Sequence, residues 1–92
     1  MGQRAEYHYH KILLLLLARK MLGLSTEENF LHLSLNVHTQ EIDRTILRLI
    51  KEDMISKITY DNTVFYELTE KGINIGSVEL SDLFGKMLIW FK

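Results

Sequence analysis

The apolar residues change from a helical to a β-strand pattern just after Asp53, and that change limits the folds open to this chain more than any other feature. From Thr39 to Asp53 they recur every three or four residues (Ile42, Ile46, Leu49, Ile50), the spacing of one helix face. Beyond it come two β-rich runs, Ile55-Ser56-Lys57-Ile58-Thr59-Tyr60 and Thr63-Val64-Phe65-Tyr66-Glu67-Leu68. Between them stands Asp61-Asn62, a polar pair that tolerates positive φ, so the two runs read as a hairpin. A helix that feeds a hairpin directly must share its core with it.

The flanking segments read as helical. Tyr7 to Leu22 is apolar around nearly its whole circumference, as expected of a central or interface-forming helix. Arg19 and Lys20 fall in its last turn, where cations suit the helix dipole, and Gly23 fits the left-handed stop position. Residues 1–6 are polar and read as loose. Ser25-Thr26-Glu27-Glu28 has the form of a capping box opening a short second helix through Phe30, Leu31 and Leu33. Asn36 is a candidate left-handed turn residue before the third helix. With no proline anywhere, glycines supply the breaks: Thr69 caps a last helical region, which Gly72 and Gly76 interrupt before an apolar stretch from Val78 to Phe91.

Composition narrows the function. Ninety-two residues make one domain, and an apolar share of 47% exceeds what a small monomer comfortably buries, which points to a partner subunit. A net charge of −1 excludes a histone-like basic coat, although a local basic face is still open. The absence of cysteine excludes disulfides, thiolate catalysis and cysteine-ligated metals. The apolar run Ile12–Leu17 is too short to span a bilayer and lacks a signal-peptide cleavage region, so the expected home is the cytoplasm, with no membrane contact. His8 and His10 point to different sides of a helix, and His32 and His38 are isolated, so no metal site or other cofactor is expected. Nothing pairs a nucleophile with a base, cradles a phosphate or brings two carboxylates together; the chain does not read as an enzyme.

Three segments carry a family resemblance. Leu35-Asn36-Val37 stands in the place of a leucine-glycine-valine turn, and Ile46-Leu47-Arg48-Leu49-Ile50-Lys51-Glu52-Asp53-Met54-Ile55 looks like the end of a recognition helix opening into a wing. Tyr66-Glu67-Leu68-Thr69-Glu70-Lys71-Gly72 matches the close of such a wing. Together they resemble winged helix-turn-helix regulators of the MarR, PadR and ArsR type, with Asp53 where glycine is common. The resemblance implies an α+β fold: a three-helix core, a two-stranded β-wing and a C-terminal helix. Residues 1–76 would form the winged-helix domain and 77–92 the C-terminal helix, a dimerisation element. It further implies sequence-specific binding of double-stranded DNA by a homodimeric transcriptional regulator. The alternative is a winged-helix protein–protein interaction module in a larger assembly.

The third helix supplies the candidate reading face. Opposite its apolar arc lie Gln40, Arg44, Arg48 and Lys51, with Leu47 at the edge. Arginine pairs with guanine and glutamine with adenine, while a terminal lysine is better suited to phosphate. The competing reading makes Glu41–Arg44 and Arg48–Glu52 ordinary ion pairs on a solvated face. His38 and Thr39 precede the helix as capping or phosphate-contacting residues, and Thr39 is taken into the candidate set. On the hairpin, Lys57, Thr59 and the tip residue Asn62 are candidate contacts to backbone or minor groove. In the C-terminal stretch Leu80, Leu83, Phe84, Met87, Leu88 and Phe91 form a stripe expected to join two subunits.

Overall fold

The computed structural model describes the backbone of residues 2–35 and 39–90, and the side chains of residues 8–35, 39–82 and 85. In chain order the elements are α1 (Gly2–Met21), β1 (Thr26–Glu27), α2 (Glu28–Leu35), α3 (Thr39–Lys51), β2 (Ile55–Tyr60), β3 (Thr63–Leu68) and α4 (Glu70–Trp90). The expected α+β arrangement of helices and wing is present.

α1 forms the centre of the core. Tyr9, Ile12, Leu13, Leu16 and Leu17 recur at helical spacing and are all buried, Ile12 and Leu13 completely. The helix begins at Gly2 rather than at Tyr7. Gln3, Arg4, Ala5 and Glu6 are good helix formers, so extending α1 through them costs little. It ends as expected: Gly23 has φ 74°, Leu24 N–H donates to the Arg19 carbonyl at 2.8 Å, and Gly23 N–H donates to that of Lys20 at 3.0 Å. That pair of bonds is the Schellman arrangement.

The segment after Gly23 departs from expectation. Thr26 and Glu27 form a third strand instead of the first turn of a helix, pairing antiparallel with Tyr66 and Phe65 of β3. α2 therefore starts only at Glu28. The competitor to the capping box was tertiary: the open edge of β3 offers backbone partners, and Arg19 holds the segment in place. Arg19 donates from Nε to Thr26 Oγ1 at 3.0 Å and from Nη2 to the Ser25 carbonyl at 2.6 Å, and its guanidinium stacks 3.8 Å from the centre of the Phe30 ring. Glu28 does not turn back to Ser25; its carboxylate accepts the Tyr66 hydroxyl at 2.7 Å.

The hairpin forms over the two β-rich runs, as expected. Ile55 faces Leu68, Lys57 faces Tyr66 and Tyr60 faces Thr63, giving a sheet ordered β1-β3-β2. Asp61 and Asn62 have φ of 50° and 62°, the two positive values that a tight type I′ connection requires. Asp53 also has a positive φ, 61°, and closes α3 just as Gly23 closes α1: Met54 N–H donates to the Leu49 carbonyl and Asp53 N–H to that of Ile50. Asp53 thus performs the turn for which the resembled regulators use glycine.

α4 is continuous, and neither Gly72 nor Gly76 interrupts it. Both glycines are buried because other parts of the chain come close to them. A Cβ on Gly72 would overlap the Met54 carbonyl oxygen, and one on Gly76 would meet Leu17 Cδ2 at 3.4 Å. Thr69 caps the helix as expected, its Oγ1 accepting the Gly72 N–H at 3.1 Å while donating to the Asp53 carbonyl at 2.6 Å. Ile73, Ile75 and Leu80 pack half-buried against the α1-centred core. No helix among the described residues is long and apolar enough to cross a membrane.

Candidate nucleic-acid interface

α3 presents its two faces clearly. Ile42, Ile46 and Leu49 are buried in the core and Ile50 is half-buried, as the periodicity requires. Thr45 joins them, only 7% exposed, because its hydroxyl returns to the Glu41 carbonyl at 2.8 Å and so needs no water. On the opposite side Thr39, Gln40, Arg44, Leu47, Arg48 and Lys51 are all exposed.

The acidic residues at the start of α3 are held to the flanks. Asp43 Oδ1 lies 3.0 Å from His32 Nε2 of α2, and Glu41 Oε2 lies 3.5 Å from His8 Nε2 of α1. Each carboxylate is thereby drawn toward a neighbouring helix, leaving the outward stripe to Gln40, Arg44 and Lys51. Neither cation of that stripe makes an ion pair with any described residue.

Arg48 differs. Its Nε donates to Glu52 Oε2 at 2.7 Å, and its guanidinium sits 4.6 Å from the centre of the Tyr9 ring. Tyr9 in turn donates its hydroxyl to Glu52 Oε1 at 3.1 Å. The hydrogen bond from Arg48 is the main reason the Glu52 carboxyl lies below the usual carboxylate range. Burial, followed by the bond to Glu52, raises the Tyr9 phenol above its ordinary value. The expected pairing of Arg48 with Glu52 is thus present, extended by an aromatic partner from α1 that local spacing cannot reveal. No pairing of Glu41 with Arg44 accompanies it; Glu41 turns to His8 instead.

The wing candidates also have definite places. Lys57 and Thr59 pair with Tyr66 and Val64, so they lie on the hairpin face whose base, at Ile55 and Leu68, is buried on the helices. Both are exposed, continuing that face beyond the core, and Asn62 stands exposed at the tip. Asn36, Val37 and His38, the expected turn, lie outside the described residues. So do the side chains of Leu83, Phe84, Met87, Leu88 and Phe91 from the expected dimerisation stripe. Leu80 is described, half-buried against the chain's own core. No group of three or more metal-ligating side chains occurs among the described residues.

No protein-family profile matches the chain, and no curated protein is similar enough in sequence to count as a relative. Solved structures do match its shape. A mutant of Lactococcus lactis ZitR in apo form superposes with a TM-score of 0.80 at 14% identity, over 97% of this chain and 66% of that one. The adhesin competence repressor AdcR from Streptococcus pyogenes gives 0.74 at 21% identity, over 90% of this chain and 59% of its own. AF1382 from Archaeoglobus fulgidus gives 0.77 at 16% identity, over 88% of both chains. The present chain thus spans 66% of the ZitR chain and 59% of the AdcR chain. With this likeness, and with α2, α3 and the hairpin in the observed order, the chain has the winged helix-turn-helix fold found in transcription regulators.

Proposed function

We propose that the chain binds double-stranded DNA sequence-specifically as a homodimer and regulates transcription, with α3 in the major groove. The observation that carries this reading is the outward stripe of α3. Gln40, Arg44 and Lys51 are exposed together, while His8 and His32 hold the neighbouring carboxylates aside. A net charge of −1 is compatible with binding because the field at this one face, rather than the total, meets the phosphates. Arg44 and Gln40 are the base-reading groups, and Lys51 neutralises phosphate. Thr39 contacts backbone at the start of the helix, and Lys57 and Asn62 do so from the wing. Arg48 is engaged with Glu52 and Tyr9 and braces α3 against α1. α4 joins the two subunits through its apolar C-terminal stretch, placing one α3 in each of two successive grooves.

The test is selection of a preferred site from random duplexes, followed by titration at several salt concentrations. Arg44→Ala should cost about 1–3 kcal/mol and relax preference at one base position. Lys51→Ala should weaken all sequences alike and lower the salt slope by about one unit. Light scattering on the purified protein should give twice the 10.8 kDa chain mass. Failure to select a site, with only weak low-salt binding, would transfer the same surface to the protein-interaction reading.

A further inference from the structure

The outer face of α3 carries one exposed apolar side chain at the edge of its polar stripe. Leu47 is 66% exposed, although every side chain described around it on that face is polar or charged. At about 100° per residue it lies about 20° from Gln40, about 40° from Lys51 and about 60° from Arg44 around the helix. Along the axis it is about 4.5 Å beyond Arg44 and about 6 Å before Lys51. A lone exposed leucine ordinarily needs no explanation. This one stands between Arg44 and Lys51 along the axis, at the edge of the stripe proposed to enter the groove, with Asp43 about 40° away on its other side and paired with His32.

Among the features a major groove presents, the donors and acceptors of the base edges are polar and only the C5-methyl of thymine is apolar. A leucine pressed on donor and acceptor edges would dehydrate them without replacing their hydrogen bonds. Against a methyl, both surfaces leave water together. We infer that Leu47 is a specificity-determining residue that reads the C5-methyl of a thymine next to the base contacted by Arg44. The inference rests on the proposed DNA-binding role of α3.

Replacement of thymine by deoxyuracil removes the methyl and leaves base pairing intact. The selected duplex is therefore resynthesised with each thymine in turn replaced by deoxyuracil. Each duplex is titrated with wild type, Leu47→Ala and Arg44→Ala, all in the full chain. One replacement should weaken wild-type binding by about three- to tenfold, the scale of losing one buried methyl contact. Leu47→Ala should bind the thymine duplex about that much more weakly and show no response to the same replacement. Arg44→Ala should keep the methyl response while losing discrimination at its own base. Because Leu47 is exposed, circular dichroism and the urea midpoint of Leu47→Ala should match wild type. If a site is selected and Arg44→Ala is impaired, but no thymine is methyl-sensitive, the Leu47 contact is overturned and the DNA-binding reading stands. A methyl response that persists in Leu47→Ala overturns it equally. If wild type selects no site, both readings fall.

Discussion

Two alanine substitutions in one helix should move stability in opposite directions. Gly72 and Gly76 are both buried on α4, one turn apart, and each would gain roughly 0.8–1 kcal/mol from alanine's better helix propensity if nothing lay nearby. At Gly76 the added methyl meets Leu17 Cδ2 at 3.4 Å and Leu13 Cγ at 3.7 Å, ordinary contact distances, so most of that gain should survive. At Gly72 the methyl meets the Met54 carbonyl oxygen, a backbone atom that cannot rotate away. That oxygen also accepts the Thr69 N–H at 2.9 Å, the bond that fastens the start of α4 to the end of α3. Relieving the overlap costs about 1–3 kcal/mol in displaced backbone, with about 1 kcal/mol more if the Thr69 bond is lost. Gly76→Ala should therefore stabilise by about 0.5–1 kcal/mol, and Gly72→Ala should destabilise by about 1–3 kcal/mol. A separation of about 2 kcal/mol is roughly 8–16 °C in Tm for a domain of this size. Urea denaturation of both variants measures it, with unchanged m-values confirming that the native state alone has shifted. A Gly72→Ala midpoint at or above that of Gly76→Ala would refute the argument from close approach.

Other residues give separate checks. Leu49→Ala and Leu68→Ala, truncating side chains 0% and 6% exposed, should each destabilise by about 2–5 kcal/mol in the same urea assay. Asp53→Gly should stabilise by about 0.5–1 kcal/mol, because its φ of 61° is strained for aspartate and free for glycine; a lower thermal midpoint would contradict this. Burial, and then its bond to the Glu28 carboxylate, raises the Tyr66 phenol above the ordinary 10.0, so the unfolded chain ionises first on the alkaline side. The stability due to this shift is complete below pH 10.0 and lost as pH rises toward the folded value. Tyr66→Phe should flatten the decline measured by urea titration between about pH 9 and 11.5, and slopes identical to wild type would remove Tyr66 as its source.

Local chemistry made much of the architecture legible. Asp61-Asn62 permitted a two-residue turn, that turn set the register of both strands, and the register put Tyr66 and Leu68 in the core. What escaped the reading depended on contacts between distant segments. β1 is two residues long, too short to show alternation, and exists because β3 has an edge to offer Thr26 and Glu27. Gly72 and Gly76 read as breaks because glycine is a poor helix former, yet Met54 and Leu17 require the absence of a side chain there. Isolated helix periodicity could not weigh either effect.

The same division runs through the candidate site and bears on how α3 is held for its work. Gln40, Arg44, Arg48 and Lys51 were visible as an outer face because that face is the complement of Ile42, Ile46 and Leu49. Which charged neighbours remain available there is decided from α1 and α2. His8 takes Glu41, His32 takes Asp43, and Tyr9 joins Glu52 in holding Arg48. His8, His32 and Tyr9, to which the sequence assigned no part in the site, thus surround α3 and shape its charge pattern. Most of these contacts are exposed and individually worth little, so their effect lies in orientation more than in stability. Their arrangement leaves α3 buried on its inner side, paired along its flanks and exposed along one stripe. A charge count over the whole chain averages that stripe with the residues that serve to clear it.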